Sequence, residues 1–299
     1  MTRKGRLAAP AKLNPVLRVL ARETSGYHQI ETLLVAVDLC DQVEVSEVDG
    51  DEVRLVVEGD VGGALGGENL VTRAAQGFRG RCREEVGGLE IRLSKRIPVA
   101  AGLGGGSSDA AATLRVLAAL YPDALRATEL RRLAAELGSD VPFFLSASPW
   151  AWAWGRGTRS LSLEPPPPNP VVIAVPVRGV STVEAYGLLG SLSEHRSAEP
   201  AALTLQDLER WEALARNREN DFEAALYPSR PDLAALGRAF EQSGALLSGM
   251  TGSGAAHFGV FETGAAADAA ARALAALDPT VRVLRAESLT EWPRPSLAD

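Results

Sequence analysis

Residues 98–120 read PVAAGLGGGSSDAAATLRVLAAL, which places four glycines in the five positions 102–106 and then runs on as alanine and leucine without a helix breaker. Gly102, Gly104, Gly105 and Gly106 have no Cβ, so the backbone can take positive φ and turn several N–H groups toward one point. Ala110, Leu114, Leu117 and Leu120 or Tyr121 then recur at three- and four-residue spacing. That spacing predicts an amphipathic helix, with Ser107 or Ser108 as its N-cap. Unpaired N–H groups and the positive end of the helix dipole would face the same anion, and the commonest such anion is phosphate. A glycine turn that only caps a buried helix is the competing reading. The string is not a Walker loop, which needs Gly-Lys-Ser or Gly-Lys-Thr, and a Rossmann fingerprint would need glycine where Ser107 stands. Protein-kinase strings of the His-Arg-Asp and Asp-Phe-Gly type are missing as well. A phosphate loop here belongs to another class.

The chain has 299 residues, 46% hydrophobic and 23% charged, enough to bury a sizeable core in one large or two ordinary domains. A net charge of -7 argues against a nucleic-acid partner, and the basic stretch Arg79 to Arg83 reads as a solvated helix face. Cys40 and Cys82 are far apart, so neither a disulfide framework nor a zinc site is suggested, which suits the cytoplasm. The opening MTRKGRLAAPAKLN has no apolar run of signal-peptide length, and no membrane span is expected.

DQVEVSEV and EVRLVVEG alternate apolar with polar residues around Asp49-Gly50-Asp51, a hairpin signal, and GLEIRLSKRIPV is a further strand leading into the glycine loop. TELRRLAAELG predicts a helix ending at Gly138. ASPWAWAWGRGTRSLSL returns to strand pattern, and Glu164 is followed by four prolines. A polyproline segment can be neither helix nor ladder, so we place the domain boundary there, giving 1–163 and 164–299. Beyond it NPVVIAVP, AAHFGVF and TVRVLRAES read as strands, and 201–215, 231–243 and AAADAAARALAAL as helices. Strands and helices interleave without strict alternation, and the fold class is α+β in two lobes.

PAKLN near the start, PVAAGLGGGSSDAA in the middle and MTGSGAAHFGVF near the end together resemble the three signature motifs of the GHMP kinases, the family of galactokinase, homoserine kinase and mevalonate kinase. Thr251 stands where serine is common, which keeps a hydroxyl. GYHQIETLL, ENLVTRAA, LGSDVPFFL, VSTVEAY and NDFE narrow the likeness to the branch whose acceptor is a methylerythritol carrying cytidine diphosphate, on the non-mevalonate route to isoprenoids. The resemblance implies an N-terminal nucleotide-binding lobe and a C-terminal α/β sandwich lobe, with the active site in the cleft between them. It also implies transfer of the γ-phosphate of ATP to the 2-hydroxyl of the erythritol.

In that family the transferring phosphate and the hydroxyl meet between a lysine and an aspartate, which fall here on Lys12 and Asp140. Lys12 would hold the transferring charge and Asp140 would orient or deprotonate the hydroxyl. The nucleotide falls on the loop from Pro98 and Ala101 through Gly102, Leu103, Gly104, Gly105 and Gly106 to Ser107 and Ser108. Asn69 and Lys95 match positions near the adenine. For the acceptor, Asn14 would hold the erythritol end, Tyr27 and Tyr186 would sandwich the cytosine, and His28 would address the base edge, with Thr182 in the same set. Mg2+ is expected with ATP because a metal bridges the phosphate oxygens, though no side-chain cage is visible. Oligomeric state is left open.

Taken one by one, these residues have other readings. Lys12 also fits a solvated edge charge, Asp140 the N-cap of a helix starting at Val141-Pro142, Tyr27 a packing residue and Tyr186 a helix-face aromatic. Two other functions stay open: a mevalonate- or homoserine-type kinase, which should lack the Tyr27, His28 and Tyr186 set, and a non-catalytic nucleotide-binding protein, which could lose Lys12 or Asp140.

Overall fold

The computed structural model describes residues 3–59, 69–192 and 204–298. Two long strands, β1 (Lys4–Arg22) and β2 (His28–Val48), pair antiparallel along nearly their whole length. β3 (Val53–Gly59) follows, then α1 (Leu70–Arg79) and β4 (Gly88–Lys95). The expected hairpin does not form. β4 lies between β2 and β3, antiparallel to the first and parallel to the second. Asp49-Gly50-Asp51 turns the chain without pairing its flanks, because β4 offers both strands a better-buried neighbour.

α2 (Gly105–Leu120) leaves the glycine loop, and α3 (Ala127–Leu137) ends at Gly138. Neither serine caps α2. Gly104 occupies the cap position, no side chain caps that end, and Ser107 and Ser108 lie inside the first turn. The glycine can take the left-handed cap conformation, so the helix starts earlier than serine capping would allow. The basic stretch is also only partly helical: α1 stops at Arg79, and Arg81 and Arg83 beyond it pair with Glu136 and Glu129. After a single 3-10 turn at Phe143–Leu145 come β5 (Trp150–Gly155) and β6 (Arg159–Ser162), a hairpin whose first strand joins β2.

Past the prolines the chain enters a second sheet with β7 (Pro170–Val175), then forms α4 (Thr182–Leu192). The helix expected over 201–215 is two short ones, α5 (Leu205–Leu208) and α6 (Trp211–Arg216); residues 201–203, like His195, lie outside the described residues. β8 (Glu219–Asn220), α7 (Asp221–Leu226), α8 (Pro231–Glu241), β9 (Leu247–Met250), β10 (His257–Val260), α9 (Gly264–Leu277), β11 (Arg282–Glu287) and β12 (Ser296–Ala298) complete the chain. The second sheet runs β11-β7-β10-β9. β8 and β12 return to the first sheet, each pairing with β1.

The two sheets share one apolar layer. Along β2, Leu34 and Ala36 face the helices α1 to α3, whereas Leu33, Val35 and Val37 face Val171, Ile173 and Phe258 of the second sheet. That is why ETLLVAVDL is a continuous apolar run instead of an alternating one: both faces of the strand are buried. β7 behaves likewise, its Val172 and Ala174 packing outward on Leu236 and Phe240 of α8 and Ala267 of α9. The layers are therefore helices, sheet, sheet, helices, an α+β arrangement.

Candidate active site

PAKLNP is bracketed by Pro10 and Pro15, which have no N–H to give to a sheet ladder. The register of β1 against β2 slips at both places, between Pro10 and Ala11 and again between Leu13 and Val16. Ala11 and Leu13 join the layer between the sheets, so strand alternation turns Lys12 and Asn14 the other way. There Lys12 is 4% exposed, no solvated edge charge. Its Nζ donates to Asn14 Oδ1 at 2.5 Å and stands 3.9 Å from Asp140 Oδ2. Burial holds the ammonium below the usual lysine range, with the Asp140 charge opposing that shift. Asn14 Oδ1 also accepts from Gly252 N at 2.9 Å and Thr251 Oγ1 at 3.2 Å. Its Nδ2 donates to Thr32 Oγ1 at 2.8 Å, which in turn donates to Val16 O at 2.6 Å. The Asn14 oxygen is engaged three times over, and only an Nδ2 hydrogen remains for an acceptor.

The glycine loop lies directly on this group. Gly104 has φ 70°, and a Cβ there would stand 2.8 Å from Lys12 Cγ. At Gly102, φ 78°, a Cβ would fall 2.2 Å from Thr251 O. The loop thus touches both other motifs, and Lys12 N donates to Leu103 O at 2.9 Å while Ala256 N donates to Ala101 O at 3.2 Å. Ala101 and Leu103 are buried anchors between the sheets, with Pro98 at the loop's entrance. Ser108 N is the first amide of α2 to find a helical acceptor, Gly104 O at 2.9 Å. The amides of Gly105, Gly106 and Ser107 before it remain as donors at the helix end. Asn220 Nδ2 holds the third motif from behind, donating to Met250 O at 2.8 Å and Gly252 O at 3.0 Å.

Asp140 is not a helix cap. The turn after it is capped by Pro142, and the Asp140 carboxylate faces Lys12. Lys12, Asn14, Gly102, Gly104, Ser107 and Asp140 share a cleft of about 930 Å³ with Tyr27, His28, Thr182 and Tyr186. Residues on both sides of position 164 line it. His28 stacks on Tyr186 with ring centroids 4.4 Å apart, and Phe222 meets the Tyr186 ring edge-on at 4.9 Å. Tyr186 therefore packs as a helix-face aromatic and also opens on the cleft; burial first and Asp140 second push its hydroxyl up to about 12. His28 is shifted down, by burial first and then by the Arg22 charge. Tyr27, 56% exposed, is no packing residue; its ring carries the Arg156 guanidinium at 4.3 Å. Thr182 Oγ1 lies 3.3 Å from Ser253 Oγ, tying the start of α4 to the third motif.

Asn69 and Lys95 do not line the cleft. Asn69 Oδ1 caps α1 by accepting from Val71 N at 2.8 Å. Lys95 Nζ donates to Asp109 at 2.7 Å and also to Asp41, beneath the first turn of α2. The two lysines are opposites. Burial would lower Lys95 too, but two carboxylates outweigh it and hold its pKa up, whereas Lys12 has one carboxylate and that at longer range. The sequence reading missed Thr32, Asn220, Arg22 and Arg156. Asn220 was visible as part of NDFE, and Arg156 as the centre of a Gly-Arg-Gly turn, but nothing local tells that Asn220 braces the third motif or that Arg156 lines the cleft.

The GHMP kinases N terminal domain model matches residues 69–148 and the GHMP kinases C terminal model residues 200–279. A 4-diphosphocytidyl-2-C-methyl-D-erythritol kinase of Solibacter usitatus is 37% identical over 85% of this chain and 80% of its own. One from Anaeromyxobacter dehalogenans is 42% identical over 82% of this chain and 77% of its own. Among solved structures, a 4-(cytidine 5'-diphospho)-2C-methyl-D-erythritol kinase superposes with TM-score 0.78 at 36% identity, covering 95% of this chain and 98% of that one. A homoserine kinase of Cytophaga hutchinsonii shares the fold, TM-score 0.70 at 18% identity, over 99% of this chain and 97% of its own.

Proposed function

Since this chain belongs to the GHMP kinases, in the family of 4-diphosphocytidyl-2-C-methyl-D-erythritol kinases, we propose that its cleft transfers the γ-phosphate of ATP to the 2-hydroxyl of that acceptor. The observation that carries the reading is the meeting of Lys12 and Asp140, 3.9 Å apart, in one cleft with the uncapped end of α2. Phosphoryl transfer asks chiefly for positioning and charge neutralisation. The amides of Gly105, Gly106 and Ser107 would receive phosphate oxygens, and the buried Lys12 ammonium would sit against the transferring group, where low dielectric strengthens its pull. Asp140 would hold the acceptor hydroxyl in line and take its proton. Asn14 sets the Lys12 ammonium through a bond that is itself fixed by Thr251, Gly252 and Thr32.

Magnesium enters with the nucleotide in this reading. Among the described residues no group of three or more His, Cys, Asp or Glu could hold a metal ion, so phosphate oxygens and water would be its main ligands. When bound it neutralises charge on the phosphates. Tyr27, His28 and Tyr186 offer the flat faces and ring nitrogens that a cytosine requires, with Tyr186 released from His28 as the base enters. We keep 1–163 and 164–299 as the two domains, with the cytoplasm as the working compartment; among the described residues no helix is long and apolar enough to cross a membrane. The test is ATP consumption with diphosphocytidyl methylerythritol, mevalonate and homoserine as parallel acceptors. Turnover with the first alone is expected. Preference for either of the others would overturn the acceptor assignment.

A further inference from the structure

Between its base and its reacting hydroxyl, a cytidine diphosphate acceptor carries a diphosphate, and taking that charge out of bulk water requires partners. Among the described residues, three lysine and arginine side chains line the cleft: Lys12, Arg22 and Arg156. Lys12 is buried against Asn14 and Asp140, where the transferred phosphate must go. The two arginines stand at the rim beside Tyr27 and His28. Resting on the acceptor reading above, we propose that Arg156, with Arg22 next to it, reads the diphosphate of the acceptor and so distinguishes cytidine diphosphate compounds from bare cytidine.

Arg156 sits on the β5–β6 turn, far in sequence from the β1–β2 turn that it contacts. Its Nε donates to Glu23 Oε2 at 3.0 Å, its Nη2 to the same oxygen and also to Ser25 Oγ at 3.0 Å, and its plane lies over the Tyr27 ring. Nη1 donates to nothing among the described residues. A guanidinium held on two sides keeps its fork oriented and loses little further freedom when an anion arrives. Glu23 is thus a positioning residue, and the group it positions borders the ring proposed to stack on the base. Arg22 makes no ion pair or side-chain hydrogen bond among the described residues, and its charge lowers the His28 pKa, so its field reaches the base slot. The bland alternative is that Arg156 only pins one turn to another. An exposed ion pair of that kind contributes little to stability, so stability alone gives no reason to place it in the cleft.

The test titrates cytidine, CMP and CDP into the whole chain, with the donor site filled by a non-hydrolysable ATP analogue. Arg156→Gln, Arg156→Lys and Arg22→Gln are compared with the parent, each checked for an unchanged melting temperature. CDP should bind the parent roughly tenfold or more tighter than cytidine, as one or two charge-assisted hydrogen bonds would give. Arg156→Gln should erase most of that ratio while cytidine affinity stays put, Arg156→Lys should keep part of it, and Arg22→Gln should lower it less. An unchanged CDP-to-cytidine ratio in Arg156→Gln, or equal weakening of both ligands, overturns the proposal and leaves Arg156 as a support for the turn or for Tyr27. If neither cytidine nor CDP binds the parent, the acceptor reading itself fails, and the diphosphate reader fails with it.

Discussion

At the floor of the cleft, Lys12 and Asn14 are each 4% exposed, and the Asn14 oxygen accepts from three separate donors. At the rim, Tyr27 is 56% exposed and the His28 ring stacks on Tyr186. The floor joins three distant segments through backbone approaches that leave no room for a single extra carbon, at Gly102 against Thr251 and at Gly104 against Lys12. The rim hangs on turns and one helix end. The contrast follows from the work proposed for each. A transferring phosphate demands charges held to a fraction of an ångström before the reaction begins. A base and its diphosphate can be gathered by side chains that move as they bind, at a cost in ordering that stacking repays.

The hardest blow to this contrast is struck at the floor. Lys12→Ala or Asp140→Asn should lower kcat by roughly 10²-fold or more while ATP affinity stays near the parent's. Single-turnover kinetics beside nucleotide calorimetry would check it, and retained turnover in both would remove the floor from the chemistry. Gly104→Val comes next. A branched side chain at φ 70°, with its Cβ 2.8 Å from Lys12 Cγ, must move either the loop or the lysine. Strain of about 1–3 kcal/mol at such a position corresponds to roughly 5- to 150-fold weaker ATP binding, read by calorimetry on a variant whose circular dichroism is native.

The rim should respond more mildly and in a different constant. Tyr27→Leu removes one stacking face of about 1 kcal/mol, the low end for a half-exposed ring, so KM for the cytidine acceptor should rise roughly 5-fold with KM for ATP unmoved. Tyr186→Leu should cost more, together with some stability, because that ring also packs on Phe222. A rise in the ATP constant instead would erase the division between floor and rim. The smallest effect is a titration. The folded state holds Lys12 below its ordinary value, so the charged ammonium opposes folding in full below the folded value, and that penalty fades as pH rises from the folded value toward the unfolded one. Activity runs the other way, lost as pH rises through the lowered value. Asp140→Asn removes the charge that opposes the shift, so the Lys12 Nζ resonance followed by NMR should titrate at a still lower pH. Movement upward would mean that burial does not dominate.

Much of the floor was legible in the order of residues, because its parts are local. A glycine string before a helix, a lysine between two prolines and a Thr-Gly-Ser-Gly turn each state a backbone requirement that holds wherever the segment lies. The strand and helix periods were readable for the same reason, including β4, β5, β7, α3 and α9. Misreadings came where neighbours outvoted local pattern. β4 entered between β2 and β3 and cancelled the hairpin, and a left-handed glycine took the cap that serine propensity favours. Nor could a string of letters tell that Asn69 caps α1 or that Lys95 neutralises Asp41 and Asp109.

By itself the sequence determined the helix end with its ring of amides, the apolar periods of both sheets and the residue types at each motif, since those depend on φ, Cβ and spacing alone. Only the tertiary structure decided that Lys12 is buried and faces Asp140, that Asn14 is spent on holding it, and that Arg156 lies over Tyr27. Lys12 and Asp140, like Arg156 and Tyr27, are more than a hundred positions apart, and Asn14 is fixed from Thr251 and Gly252 at the far end of the chain. Burial, the distance between charges and the number of partners a side chain can satisfy are properties of the space around a residue, and that space is made by whichever distant segments pack there.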